Sequence, residues 1–187
     1  FVEIEENVRS RELNGPTEWL GKALLFSIPV AGIFFLLNLP QTIGWLVFNE
    51  QYMGLFLGLA LCATFLLIPG GRWDNTHRIH WHDWLAATAG LGVGLFIFIE
   101  YPQIVNSMGD IFTERVILGA ITILLLAEAS RRLVGWPLVI IAACFLFYGL
   151  FAYIFPGDFY GKGWTINRLS TYLYLDANGI FGQPLQV

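Results

Sequence analysis

His77, His80 and His82, with Asp83 beside them, are the residues whose types could hold a metal ion. Converging imidazoles bind zinc or copper. A spacing of three residues and then two does not bring all three rings to one helical face. The segment also lies in a polar connection, so no metal site is expected. Haem would need axial ligands placed on membrane helices. No histidine falls inside an apolar run, and Met53 and Met108 lie near run ends, so no cofactor is expected.

Glu128, Arg131 and Arg132 are a second chemical constellation. Offsets of three and four residues place both arginines on the glutamate's helical face. At mid-bilayer such a set could relay protons or a charged substrate. Here it closes an apolar run, so an interfacial ion pair anchoring a tight helical hairpin is expected. Glu100, beside Tyr101-Pro102, sits at a run end in the same way. Ala86, Gly90 and Gly94 recur every fourth residue, a spacing of small residues that lets two helices approach closely. They are the expected helix-packing face. No glycine-rich phosphate loop, nucleophile elbow or carboxylate pair is present, so no enzyme is expected. No charge falls near the centre of a run, which reads as scaffold rather than ion pathway.

The elements that carry these residues follow from composition. Of 187 residues, 56% are hydrophobic and 13% charged, with a mean hydropathy of +0.63. A soluble domain averages about 25% charged residues. Lipid is the solvent such a chain requires. Its 16 Phe, seven Trp and seven Tyr suit a lipid-facing body with aromatic belts. The net charge is −4 and the ten basic residues are scattered, so nucleic acid is not an expected partner. Cys62 and Cys144 lie in apolar runs and read as small buried hydrophobes.

Crossing about 30 Å of hydrocarbon takes about 20 helical residues. The first charge-free run is 23–49; its helix should start near Thr17 and stop before Pro40, with Pro29 as a kink. The remainder, 43–48, is too short to span and should lie along the far interface. The second run is 51–71 and the third is 85–99, with Asp83, Trp84, Glu100 and Tyr101 at its boundaries. The fourth, 116–127, is the shortest and spans only if its helix begins near Ile111. The fifth, 133–157, starts at Trp136-Pro137 and ends at Pro156-Gly157. A polar turn over 158–163 leads to Ile166, Leu169, Tyr172 and Leu173, spaced as an amphipathic interfacial helix and capped at Asn178-Gly179. The fold class is thus all-α integral membrane, with about five transmembrane helices and an interfacial helix near the C-terminal end. Alternate connections hold Arg9, Arg11, Arg72, Arg78, Arg131 and Arg132, against Arg115, Lys162 and Arg168 on the other side. The positive-inside rule puts the N-terminus in the cytoplasm.

The stretch from Leu124 through Glu128, Arg131, Arg132, Gly135, Trp136 and Pro137, then Ile140-Ile141, Tyr148-Gly149 and Pro156-Gly157, resembles a known family. So does the end, Tyr174-Leu175 through Gly179, Gly182, Pro184 and Leu185. The pattern is similar to the fused permease of TRAP transporters, TAXI subfamily. The resemblance is specific from about residue 100 onward and rests on hydropathy before it. It implies import of an organic anion across a bacterial inner membrane, with a periplasmic binding protein and an ion gradient. It implies a cytoplasmic tail (1–16), a four-helix small region (17–134), a connecting helix (135–157) and the start of a larger region (158–187). The family's large, moving region carries the transport sites, and none of them falls in these positions. This chain would be the scaffold, a piece of a longer polypeptide, with the large membrane domain as its partner. The alternative is a structural accessory subunit of another membrane complex.

Overall fold

A computed structural model describes residues 11, 15–37, 39–42, 44, 46–71, 79–106, 112–175 and 179–180. Every regular element among them is helical. Helix α1 is Pro16–Leu36. Gly15 precedes it at φ +71°, a conformation open to glycine, and Pro16 supplies a helical φ at the first position. The helix runs on through Pro29. One turn, α2 (Leu39–Thr42), leads to α3 (Asn49–Leu67). Then come α4 (Trp81–Asn106), α5 (Thr113–Leu133) and α6 (Trp136–Phe151). Gly135, at φ +103°, makes the tight turn between α5 and α6. Two short 3-10 turns, Ala152–Ile154 and Gly157–Phe159, precede α7 (Ile166–Leu175).

Four of these helices are long and apolar enough to cross a membrane: α1, α3, α4 and α6 with its following turn. Helix α5 has 21 residues, about 31 Å of rise. Its length suffices, but Glu114, Arg115, Glu128, Arg131 and Arg132 sit at its two ends and lower its hydropathy.

Helix α4 is longer than the third apolar run, because it continues through Pro102. Proline has no N–H to give the Phe98 carbonyl. Gln51 of α3 replaces it: Nε2 donates to Phe98 O at 2.5 Å, while Oε1 accepts the Phe48 N–H at 2.9 Å. One side chain thus mends the α4 ladder and caps α3. Tyr101 and Asp83, expected at the boundaries of a shorter helix, are buried instead.

The core forms where α3 crosses α4. A Cβ on Gly94 would lie 2.5 Å from Gly54 O and 2.8 Å from Gly58 Cα. One on Gly90 would lie 2.9 Å from Leu61 Cβ. Only glycine lets the two backbones approach this closely. Phe65, Leu66, Ile97 and Ile104 fill the space around the crossing. Helix α1 joins α3 through Phe35 and Tyr52, stacked at 3.9 Å between ring centroids.

The flanks differ from this centre. Helix α6 has no buried residue, and α1 leaves Phe26, Ile33 and Leu36 exposed. Cys62 is buried, but Cys144, expected to be buried, is exposed because none of the described residues covers that face of α6. Helix α7 lies along α5. A Cβ on Gly119 would meet Ser170 O at 2.6 Å, and Tyr174 Oη donates to Val93 O, half-way along α4, at 3.3 Å. Its buried residues are Ser170, Tyr174 and Leu175, while Ile166 is exposed. Asn178 lies outside the described residues.

Candidate functional site: a charge cluster at one end of the bundle

Helix α3 must stop near Leu67 because Pro69 follows. The last carbonyls of a helix have no partners within it and carry its negative dipole end. Helix α4 starts at this same end with Asp83 in its first turn, and α5 finishes there with Arg131 and Arg132 in its last turn. Each charge suits the dipole end that it occupies.

Three arginines satisfy the α3 end. Arg11 donates its backbone N–H to Leu67 O at 2.7 Å and Nη1 to Phe65 O at 3.5 Å. Arg132 Nη1 donates to Ile68 O at 3.1 Å, and Arg131 Nη2 to Gly70 O at 2.7 Å. Two carboxylates bind the arginines together. Asp83 accepts from Arg11 at 2.5 Å through one oxygen and from Arg132 at 2.7 Å through the other. Glu128 accepts from Arg132 Nε at 2.9 Å and from Arg131 at 2.6 and 2.7 Å. The Arg132 guanidinium also lies 4.9 Å from the Phe65 ring centroid, a cation–π distance.

Burial grades the cluster. The side chains of Arg11, Asp83 and Arg132 are 0%, 2% and 6% exposed, whereas Glu128 is 35% exposed. The inner three are therefore the ones whose loss would leave an uncompensated charge. Glu128 lies beyond the apolar run of α5. Its hydrogen bond from Arg131, helped by Arg132, holds its carboxyl below the usual carboxylate range against the opposing effect of burial. The described groups bond to one another and to backbone carbonyls. What they do together is clasp: the ends of three helices and the segment at Arg11 meet in one network.

The structure therefore brings Glu128, Arg131 and Arg132 together, and joins to them residues 45 or more positions away in the chain. Gly90 and Gly94 lie at the α3 crossing, with Ala86 half-buried beside the core. His80 and His82 stack at 5.3 Å between ring centroids on the exposed start of α4. His77 and Met108 lie outside the described residues. Among the described residues no group of His, Cys, Asp and Glu is placed to hold a metal.

Sequence reasoning missed Arg11, Asp83, Gln51, Gly54 and Gly58. Three of these had a signal. Gly54 and Gly58 repeat the four-residue spacing of Gly90 and Gly94 on the neighbouring run. Pro102 announces an orphaned carbonyl, for which Gln51, polar at the edge of an apolar run, is a natural donor. Nothing local marks Arg11 or Asp83 as partners. Comparison with family models, curated proteins and solved structures gives no match.

Proposed function

We propose that this chain is the scaffold part of a TRAP-type secondary transporter. In this reading it holds a larger, moving membrane domain at fixed depth while that domain imports an organic anion. A periplasmic binding protein delivers the anion and an ion gradient drives its entry. The observation that supports it is the contrast within the bundle. The α3–α4 pair is locked by close glycine contacts and clasped at one end by the charge cluster. Helices α1 and α6 present long apolar flanks that lie almost wholly uncovered. A rigid centre with open apolar sides suits a part that stands still and is packed against. Helix α5 then crosses as a fifth span, its charges at the two interfaces, with the clasp and the N-terminus on the cytoplasmic side of a bacterial inner membrane.

The test is the intact mass of the polypeptide purified from its native membrane, with the proteins that co-purify. The proposal expects a mass several-fold above 21.1 kDa, or a stoichiometric large membrane partner, together with a periplasmic binding protein. A mass near 21.1 kDa with an unrelated complex would replace it by the accessory-subunit reading.

A further inference from the structure

Helix α7 is attached to three neighbours, and each attachment gives its level in the bundle. Depth can be measured from the clasp, whose charges mark one edge of the hydrocarbon. Asp83 meets Arg132 there, and Gly135 turns the chain into α6 at the same end. At about 1.5 Å per residue, a core about 30 Å thick ends near Gln103 on α4, Phe112 before α5 and Phe155 after α6. The start of α5 at Thr113 and the end of the α6 span at Ile154 both fall at this far edge.

Helix α7 does not reach that edge. Trp164, just before it, donates its N–H to Gly149 O at 2.9 Å, about 21 Å from the clasp. A Cβ on Gly119 would lie 2.6 Å from Ser170 O, about 20 Å from the clasp. Tyr174 Oη donates to Val93 O at 3.3 Å, about 15 Å from it. Helices α4, α5 and α6 thus agree that α7 lies about 10–15 Å inside the far edge, and a tilt of one of them would not bring three to one answer. The chain reaches this level by folding back along α6. Gly161 donates its N–H to Ala152 O at 3.1 Å, and Tyr148 Oη donates to Phe159 O at 3.0 Å. Gly163, at φ +62°, lets the backbone pass Leu150, whose carbonyl oxygen would stand 2.8 Å from a Cβ.

What lies at this level is unsuited to hydrocarbon. Irregular backbone facing lipid does not occur there. Lys162, Asn167 and Arg168 are exposed. A stretched arginine side chain reaches about 7 Å, less than the distance to the edge. The exposed neighbours of these residues are Tyr153, Tyr160 and Trp164, and the Arg168 guanidinium lies 6.0 Å from the Trp164 ring centroid. Amphipathic aromatics among basic side chains are the residues that sit at headgroup level. A face packed by another membrane helix is instead built of small residues that let backbones approach. We propose that the headgroups of the far leaflet descend to α7, so that the bilayer is about 10 Å thinner on this side of the bundle than beside α1. Thinning requires only that the bundle spans a membrane, whether or not the chain belongs to a transporter.

The test compares two exposed positions at one level of the bundle. Ile33 lies about 21 Å along α1 from Trp19, which faces Trp84 beside the clasp. Ile166 opens α7 at about the same distance. The whole chain, with Cys62 and Cys144 replaced, carries a spin label at Ile33→Cys or Ile166→Cys. It is placed in vesicles of palmitoyl-oleoyl phosphatidylcholine with a minor share of nickel-chelating lipid. Headgroup nickel should relax the Ile166 label strongly and the Ile33 label weakly, a difference in depth of about 10 Å. Circular dichroism checks folding, and Asn167→Cys replaces Ile166→Cys if that variant loses helix. Three outcomes overturn the proposal. Equal relaxation at the two positions would mean a bilayer of one thickness. An Ile166 label reached by a soluble nickel chelate but not by headgroup nickel would mean a water-filled crevice. A label at Ile166 reached by neither nickel nor oxygen would mean that a protein partner covers α7.

Discussion

Asp83 accepts from two arginines at once, each through its own carboxylate oxygen. A buried ion pair adds little net stability when intact, because both charges have left water. Removing one partner is different, since the remaining charge stays buried. Asp83→Ala should therefore destabilise the bundle by about 3–5 kcal/mol, read as a lower midpoint in detergent unfolding. An unchanged midpoint would mean that Arg11 and Arg132 reach solvent. Gln51 makes a smaller case of the same physics. Gln51→Leu leaves the Phe98 carbonyl without its donor and should cost about 1–3 kcal/mol in the same experiment. A loss no larger than that of a surface substitution would remove Gln51 from the account. Asp83's role was not legible in the sequence, whereas Gln51 had a signal in the carbonyl that Pro102 orphans. Asp83 stands in a polar stretch that resembles any loop, and its partners lie 49 and 72 positions away. The local pairing of Glu128 with Arg131 and Arg132 was readable, because helical spacing alone brings those side chains together.

Elements were more legible than contacts. Apolar runs of about 20 residues announce helices without any partner being known. The two discrepancies have separate causes. Helix α4 outruns its apolar run because Gln51 repairs the break at Pro102 from another helix. Helix α7 turns Ser170 and Tyr174 inward, against the pattern of its apolar residues, because Gly119 opens a backbone-deep recess on α5. The α3–α4 crossing carries the element-scale prediction. Gly94→Val puts methyl groups where Gly54 O already stands 2.5 Å from a bare Cβ. It should cost about 1–3 kcal/mol through overpacking. Disulfide trapping between cysteines placed on α3 and α4 should slow along with it; trapping at the wild-type rate would contradict the crossing. The end of α5 adds a pH dependence. The Glu128 carboxyl is held low in the fold, so its contribution is present above the ordinary value of about 4.3. It is lost as pH falls through the lower folded value. Acidification below about pH 4 should lower the melting point of wild type more than that of Glu128→Gln. Equal losses would show that the clasp does not depend on this carboxylate.

At the scale of the molecule, composition alone makes lipid the solvent, and four helices have the length and apolarity to cross it. What composition does not reveal is how unevenly the bundle is packed. Close contact is concentrated in α3 and α4, and one end is tied by the charge cluster, while α1 and α6 stay open to whatever surrounds them. That unevenness depends on which apolar faces meet, and the hydrophobic residues run almost all the way round each of these helices. If the chain is the scaffold we propose, the bundle is static. Spin labels at Leu46, before α3, and Leu133, at the end of α5, are both exposed and mark opposite ends of the bundle. With Cys62 and Cys144 replaced, pulsed dipolar spectroscopy in liposomes reads the distance between them directly. A static bundle gives one narrow distribution near about 30 Å, set by the length of α3 and unchanged when a sodium or proton gradient is imposed. A second population, or a mean that shifts by several ångströms with the gradient, would contradict it.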